Sequence, residues 1–232
     1  MERPASERAT VQRRCFLVPR RLAVVDRVLT TALADRPAEA LAVLLPMLGC
    51  GEEAAAMAFD GLATELADTP VLQAALQAIA AEERIHDLII QQLEATLPPP
   101  VGSKAMLAAA RRFHVRLSSG GMALHLARIA ALDSAVCSVL SGLLRNGRPL
   151  GRDPVTRAAL HRIYRDEARH VRVSRNLAMS FGVTRQVMDA AVEARESLAN
   201  VLALADAAFE TLTVDPAVLN RTVRQLPKGL FA

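Results

Sequence analysis

Two strings in this chain, Glu82-Glu83-Arg84-Ile85-His86 and Asp166-Glu167-Ala168-Arg169-His170, share one pattern: an acid followed by Glu-x-x-His. Residues three apart lie on one face of an α-helix. Each string therefore aims a carboxylate and an imidazole at the same point. The rest of each face is mostly apolar. The first runs Leu72, Leu76, Ile79, Glu83, His86, Ile90, Leu93, Leu97, and the second Thr156, Leu160, Ile163, Glu167, His170, Ser174, Leu177, Phe181. A carboxylate without a partner inside an apolar stripe is costly, so any fold this chain adopts has to satisfy both pairs in its interior.

Two further helices carry one interior acid each. Over about 37–67 one face reads Leu41, Leu45, Leu48, Glu52, Ala55, Phe59, Leu62, Leu66. The neighbouring face, through Ala42, Pro46, Gly49, Glu53 and Asp60, is poor core, which predicts Glu52 inward and Glu53 outward. Pro46 with Gly49 and Gly51 predicts a kink or local irregularity just before Glu52. From Met122 to about 145 the stripe is Met122, Leu126, Ile129, Asp133, Val136, Leu140, Leu143, with Asp133 its lone acid.

The remaining punctuation places the other elements. Residues 1–18 are polar and basic and predict a loosely ordered start. A helix is expected over about 19–34, and Asp35-Arg36-Pro37 reads as a helix start with Asp35 as the N-cap candidate. Thr69-Pro70 opens a helix to about 96, and Leu97-Pro98-Pro99-Pro100-Val101-Gly102 is a linker between two halves. A short helix over about 104–117 carries His114, and Ser118-Ser119-Gly120-Gly121 breaks or bends the chain. Asn146-Gly147 stops the next helix. Asp153-Pro154 opens a helix over about 154–180 with Gly182 as its C-cap candidate. Thr184 opens a last long helix, about 185–212, and the tail after Pro216 stays unassigned. No stretch alternates with a strand's period of two. The fold class is all-α: a four-helix bundle core with flanking helices, one domain over 19–232.

Ala, Leu and Arg dominate the 232 residues, which suits long helices. Cys15, Cys50 and Cys137 are odd in number and far apart, with no Cys-x-x-Cys. This argues against a disulfide framework and for a cytoplasmic protein. The basic start lacks the apolar core of a signal peptide, and no run of eighteen uncharged apolar residues appears, so no membrane span is expected. The net charge of +4 reads as an Arg-rich helical surface; with no aromatics interleaved, nucleic acid is not the expected partner.

One hypothesis covers all the interior polar residues. Glu52, Glu83, His86, Asp133, Glu167 and His170 supply four carboxylates and two imidazoles. Projecting inward from four helices, they make a cage for two iron ions, with manganese as the alternative. The competing reading is a set of buried ion pairs and structural histidines. A metal-bound imidazole donates its other N–H to a carboxylate, and Asp166 is placed to reach His86, and Glu82 to reach His170. His114, His125 and His161 fall off the stripes and read as surface or interhelical. Phe59, Met57, Val136 and Leu140 are expected to shape a dry pocket.

Over about 37–180 the pattern of acid, Glu-x-x-His, acid, Asp-Glu-x-x-His resembles the ferritin-like di-iron carboxylate superfamily, and Asp-Glu-Ala-Arg-His looks most like its oxygenase and N-oxygenase branch. Ile163 stands where the p-aminobenzoate N-oxygenases carry a further histidine, and Asp133 where a Glu is usual. The resemblance implies a di-iron oxygenase that uses O₂ on a small organic substrate, with electrons from an external reductase or ferredoxin. A ferroxidase or rubrerythrin-like iron or peroxide handler and a tRNA hydroxylase are the alternatives. A homodimer is compatible with either.

Overall fold

The structure, a computed structural model, describes residues 30–231. Among these residues every regular element is helical: α1 (Asp35–Glu65), α2 (Pro70–Glu94), α3 (Ser103–Leu117), α4 (Met122–Leu143), α5 (Pro149–Arg152), α6 (Pro154–Ser180), α7 (Arg185–Leu202), α8 (Asp206–Thr211) and α9 (Pro216–Arg224), with a 3₁₀ turn over Ala203–Ala205. The stretch 1–18, and the helix expected over 19–34 up to residue 29, lie outside the described residues. Residues 30–34 are not helical.

Local chemistry sets most of the boundaries. Asp153 caps α6: one carboxylate oxygen accepts from Thr156 N at 2.7 Å and the other from Ala32 N at 2.8 Å, which ties the segment before α1 to the start of α6. Thr184 accepts from Val187 N at 3.3 Å to open α7. Asp35, in contrast, sits inside the first turn of α1, where its charge suits the positive end of the helix; Ala34 holds the cap position with no side-chain bond. Pro46 is accommodated within a continuous α1. The expected helix over 185–212 is interrupted by the 3₁₀ turn, which redirects the chain so that Phe209 and Leu212 are buried. The unassigned tail forms α9. It opens on Asp215-Pro216, the same signal as Asp153-Pro154, with Asp215 accepting from Ala217 N at 2.8 Å and Val218 N at 3.1 Å.

The four long helices α1, α2, α4 and α6 surround a common interior. α1 and α2 are antiparallel, with Glu52 opposite His86 and Asp60 opposite Arg84. α2 and α6 are antiparallel too, with His86 opposite Asp166 and Glu82 opposite His170. α3, α7, α8 and α9 pack outside. Arg195 of α7, 1% exposed, fastens this outer layer. It donates to Ala131 O at 3.0 Å and Ser134 Oγ at 2.6 Å on α4, and to Val223 O at 2.6 Å and Thr222 O at 3.1 Å on α9.

The apolar core is divided. One cluster joins the first half of α1 to α3, the second half of α4, the first half of α6, and α7–α9, through residues such as Leu45, Leu140, Leu160 and Phe209. The other joins the second half of α1 to the starts of α2 and α4 and the end of α6, through Phe59, Leu76, Leu126 and Leu177. The interior acids and histidines lie at the level between them. Each large side chain buried in these clusters contributes ~1.5–3 kcal/mol.

Two expectations change here. Glu53, expected outward, is buried, 6% exposed. α1 is covered on several sides, with buried residues at Ala38, Ala40, Leu41, Ala42 and Leu44 running around it, so a one-face reading fails for this helix. Cys50 is disulfide-bonded, against the expectation of no disulfide framework. α1 and α4 are also long and apolar enough to cross a membrane by length and composition, although half or more of each apolar window is buried inside the fold, 50% and 56%.

Candidate metal centre

Glu52, Glu83, His86 and Glu167 form a buried cluster whose ligand atoms all lie within 4.8 Å of one another, an arrangement that could hold a metal ion and is compatible with a di-iron site. His86 Nδ1 is 3.1 Å from Glu83 Oε2, 3.3 Å from Glu52 Oε2 and 3.5 Å from Glu167 Oε1. His170 joins from the opposite side, its Nδ1 2.9 Å from Glu83 Oε1 and 3.8 Å from Glu167 Oε1. Asp133 stands outside the tight group but lines the same cavity wall as Glu52, Glu83 and Glu167.

Both imidazoles are held from behind. His86 Nε2 faces Asp166 Oδ2 at 3.2 Å, and His170 Nε2 faces Glu82 Oε2 at 2.8 Å. These are the two pairings the sequence suggests. A neutral ring that donates through Nε2 leaves the Nδ1 lone pair directed at the carboxylates, as a metal ligand requires. Arg169, which the sequence reading passed over, joins the two supports: it bonds Glu82 and lies 3.6 Å from Asp166 Oδ1. Its position between Glu167 and His170, one residue off the stripe, was the available signal.

The electrostatics would suit a cation. Burial, followed by the charges of Glu83 and Glu167, pushes Glu52 well above the ordinary carboxylate range. Burial and the other three carboxylates do the same to Asp133, and burial followed by Glu83 raises Glu167. Glu83 goes the other way. Burial opposes its charge, but the imidazoles of His170 and His86 outweigh it and bring it down to about 2. Burial also disfavours charge on the two rings, yet the carboxylates around them raise both His86 and His170. Protons here balance negative charge that divalent cations would balance equally well.

The donor set fits a metal. Glu83 Oε1, Asp133 Oδ2 and His170 Nδ1 are buried without a hydrogen-bond partner. The 2.9 Å approach of His170 Nδ1 to Glu83 Oε1 lacks hydrogen-bond alignment, as expected of two atoms aimed at a shared third point. Of the three, Asp133 Oδ2 has no ion pair either among the described residues, and a buried orphan of this kind costs ~1–3 kcal/mol. Oxygen and imidazole donors with no thiolate suit iron or manganese. Cys137, one turn beyond Asp133, stays a thiol because burial, then Glu167 and Asp133, push it up to about 12.

No protein-family model, no curated protein and no solved structure matches this chain. The site therefore stands on its own geometry.

Beside the cluster lies a cavity of about 100 Å³ between α1, α3, α4, α6, α7 and α8. Glu52, Glu83, Asp133 and Glu167 form one end of its wall. Val136 and Leu140 line it as expected. Phe59 does not: it packs edge-on against the His170 ring at 6.1 Å, in the other apolar cluster. Met57 instead lines an outer groove between α1, α3 and α4.

His114 was expected at the surface or between helices. It is interhelical, and it lines both the cavity and the groove. Burial brings it down to about 4, so the ring is neutral at neutral pH. The ring packs beside Gly51, where a Cβ would stand 3.7 Å from both Cε1 and Nε2 of His114, an ordinary contact. His125 is buried and His161 exposed.

Proposed function

We propose that the protein is an O₂-dependent di-iron oxygenase of the ferritin-like kind, which hydroxylates or N-oxygenates a small organic substrate. Glu52, Glu83, His86, Asp133, Glu167 and His170 hold the metals, and Asp166 and Glu82 orient the two histidines. The observation that carries the reading is the apolar cavity that ends on the carboxylates. An iron store or peroxide scavenger needs no such space.

A bound pair of ferrous ions supplies the electrons and Lewis acidity that O₂ activation needs. The chain does the rest. The carboxylates neutralise cationic charge, and Asp166 and Glu82 keep each imidazole Nδ1 directed at the centre. The aliphatic walls exclude water from the oxidising site. In the net reaction one oxygen atom enters a C–H bond or an amine nitrogen and the other leaves as water. Two electrons and two protons balance it, delivered by a separate flavin or iron–sulfur reductant. A polyanion such as tRNA is not favoured as substrate: among the described residues no Lys or Arg lines the groove that holds Met57, Val115, Ser118, His125 and Ile129.

The test is anaerobic loading with Fe(II), metal analysis, and stopped-flow absorbance on mixing with O₂. Two irons per chain and a transient visible band support the proposal. Substoichiometric metal that neither Fe(II) nor Mn(II) corrects refutes it.

A further inference from the structure

The shape and lining of the cavity carry information about the substrate that the centre alone does not. Its wall follows α1 from Leu41 to Glu52, which at 1.5 Å per residue is ~16 Å, and follows α4 over a similar length from Leu143 to Asp133. A volume of about 100 Å³ drawn out over ~15 Å leaves a mean cross-section of roughly 7 Å² for water-sized centres. Spread evenly over that length, the space, lined by Leu45, Val136 and Leu198, suits a single aliphatic chain better than a ring.

The chemistry of the wall agrees. Apart from the four carboxylates at one end, His114 is the one polar side chain lining it among the described residues. A compact polar aromatic would find nothing along this wall to hydrogen-bond. His114 stands at the carboxylate end, where the cavity and the outer groove share Gly51, Ala55, His114, Leu132 and Asp133. Leu41 and Phe209 line the cavity away from the carboxylates.

We infer that the substrate is an unbranched aliphatic chain of about eight to twelve carbons with an uncharged polar head. It enters tail first through the groove between α1, α3 and α4. The tail extends toward Phe209, and the head stays beside Glu52 and Asp133, within reach of the neutral His114 imidazole. The length follows from ~1.25 Å of advance per carbon–carbon bond at a near-tetrahedral angle. Oxidation then falls on the carbons next to the head and not on the far end of the tail. This rests on the oxygenase reading for the chemistry, but the chain-binding part is independent of metal.

The experiment is calorimetric titration of the full-length protein, with chelator and separately with Fe(II) under argon, using straight-chain primary alcohols from butanol to tetradecanol. Benzyl alcohol and cyclohexylmethanol serve as ring probes. Affinity should tighten about fourfold per added methylene up to ten to twelve carbons and then level off, and the rings should bind at least tenfold more weakly than the straight alcohol of equal carbon number. Val136→Phe, which intrudes one turn from Asp133, should bring the plateau down to about four or five carbons. Leu140→Ala, which widens the slot and cannot overpack it, should instead let the rings bind as well as the chains. Affinity that does not depend on chain length, or rings bound as tightly as chains by the unaltered protein, would overturn the inference. Chain binding without metal uptake would refute the oxygenase proposal alone, and metal uptake without chain binding would refute this one alone.

Discussion

Raising the pH of the metal-free protein from 6.5 to 8 should destabilise it steeply. Glu52, Asp133 and Glu167 have folded pKa values raised above their ordinary 4.5, 3.8 and 4.5, chiefly by burial, and His86 and His170 are raised above 6.5 by the carboxylates around them. A group whose folded pKa is raised holds a proton in the native state after the unfolded chain has released it. Its contribution is complete below the unfolded pKa and is lost as pH rises towards the folded one, at ~1.4 kcal/mol per pH unit for each proton retained. Counting only two retained protons, because the groups share charge, the slope is ~2.7 kcal/mol per unit and the loss ~4 kcal/mol between pH 6.5 and 8. That is a large part of the ~5–15 kcal/mol typical of a folded domain. Glu83 supplies the acid limb. Its folded pKa is lowered to about 2, so its contribution is intact above 4.5 and is lost as pH falls from there towards 2. The metal-free optimum should lie near about pH 4, where the acid-side loss from Glu83 meets the alkaline-side loss from Glu52, Asp133 and Glu167, and a bound divalent cation, replacing the protons, should flatten the alkaline slope. Urea denaturation at half-unit pH steps, with chelator and with Fe(II) or Mn(II), measures both. Stability that is flat or rising from pH 6.5 to 8 in chelator would refute the charge balance argued for the cluster.

Other perturbations probe the supports and the frame. Asp166→Asn and Glu82→Gln keep the shape but weaken the hold on the imidazoles; metal affinity by competition with a chelator should fall ~10–100-fold with little change in the circular dichroism spectrum. Arg195→Ala removes four hydrogen bonds from a buried guanidinium and should cost ~3–5 kcal/mol in urea denaturation, because the carbonyls it serves on α4 and α9 are left bare. Gly151→Ala should also destabilise, by ~1–3 kcal/mol, since a Cβ there would lie 2.3 Å from Arg145 O and 2.7 Å from Leu144 O; an unchanged melting temperature would count against that contact.

The interior acids and their supports were legible because long amphipathic helices print burial as a 3.6-residue period, and an acid in an apolar stripe breaks it visibly. Glu52, Glu83, His86, Asp133, Glu167 and His170 were found this way, and the facing acids Asp166 and Glu82 followed from the ligand chemistry of histidine. What escaped has a common cause: it depends on a second covering layer. Glu53 looked solvent-facing because α1 was read as having one buried side, while other helices cover more of it. His114 lies on a short flanking helix whose docking onto Gly51 no periodicity reveals. The 3₁₀ turn at Ala203–Ala205 lies in a run of Ala, Leu and Asp with no breaker, so tertiary packing of Phe209 and Leu212 overrides local propensity. α9 could have been found: Asp215-Pro216 repeats a start signal recognised twice elsewhere.

The division of the core by a polar level has a bearing on how the chain assembles. The α1–α2 hairpin carries Glu52, Glu83 and His86, and the α4–α6 arm carries Asp133, Glu167 and His170, so each arm brings two acids and one imidazole to the meeting. Neither apolar cluster belongs to one arm, since both draw on helices from each side. The arms therefore complete their burial at the moment their charges are brought together. Hairpin formation already brings Glu52 against Glu83 and Asp133 against Glu167, and docking adds the charges of the opposite arm. The late step of folding should act as a clasp that closes quickly when protons or divalent ions are at hand and slowly when they are withheld, which makes ion supply a condition for maturing the chain as well as for any chemistry it performs.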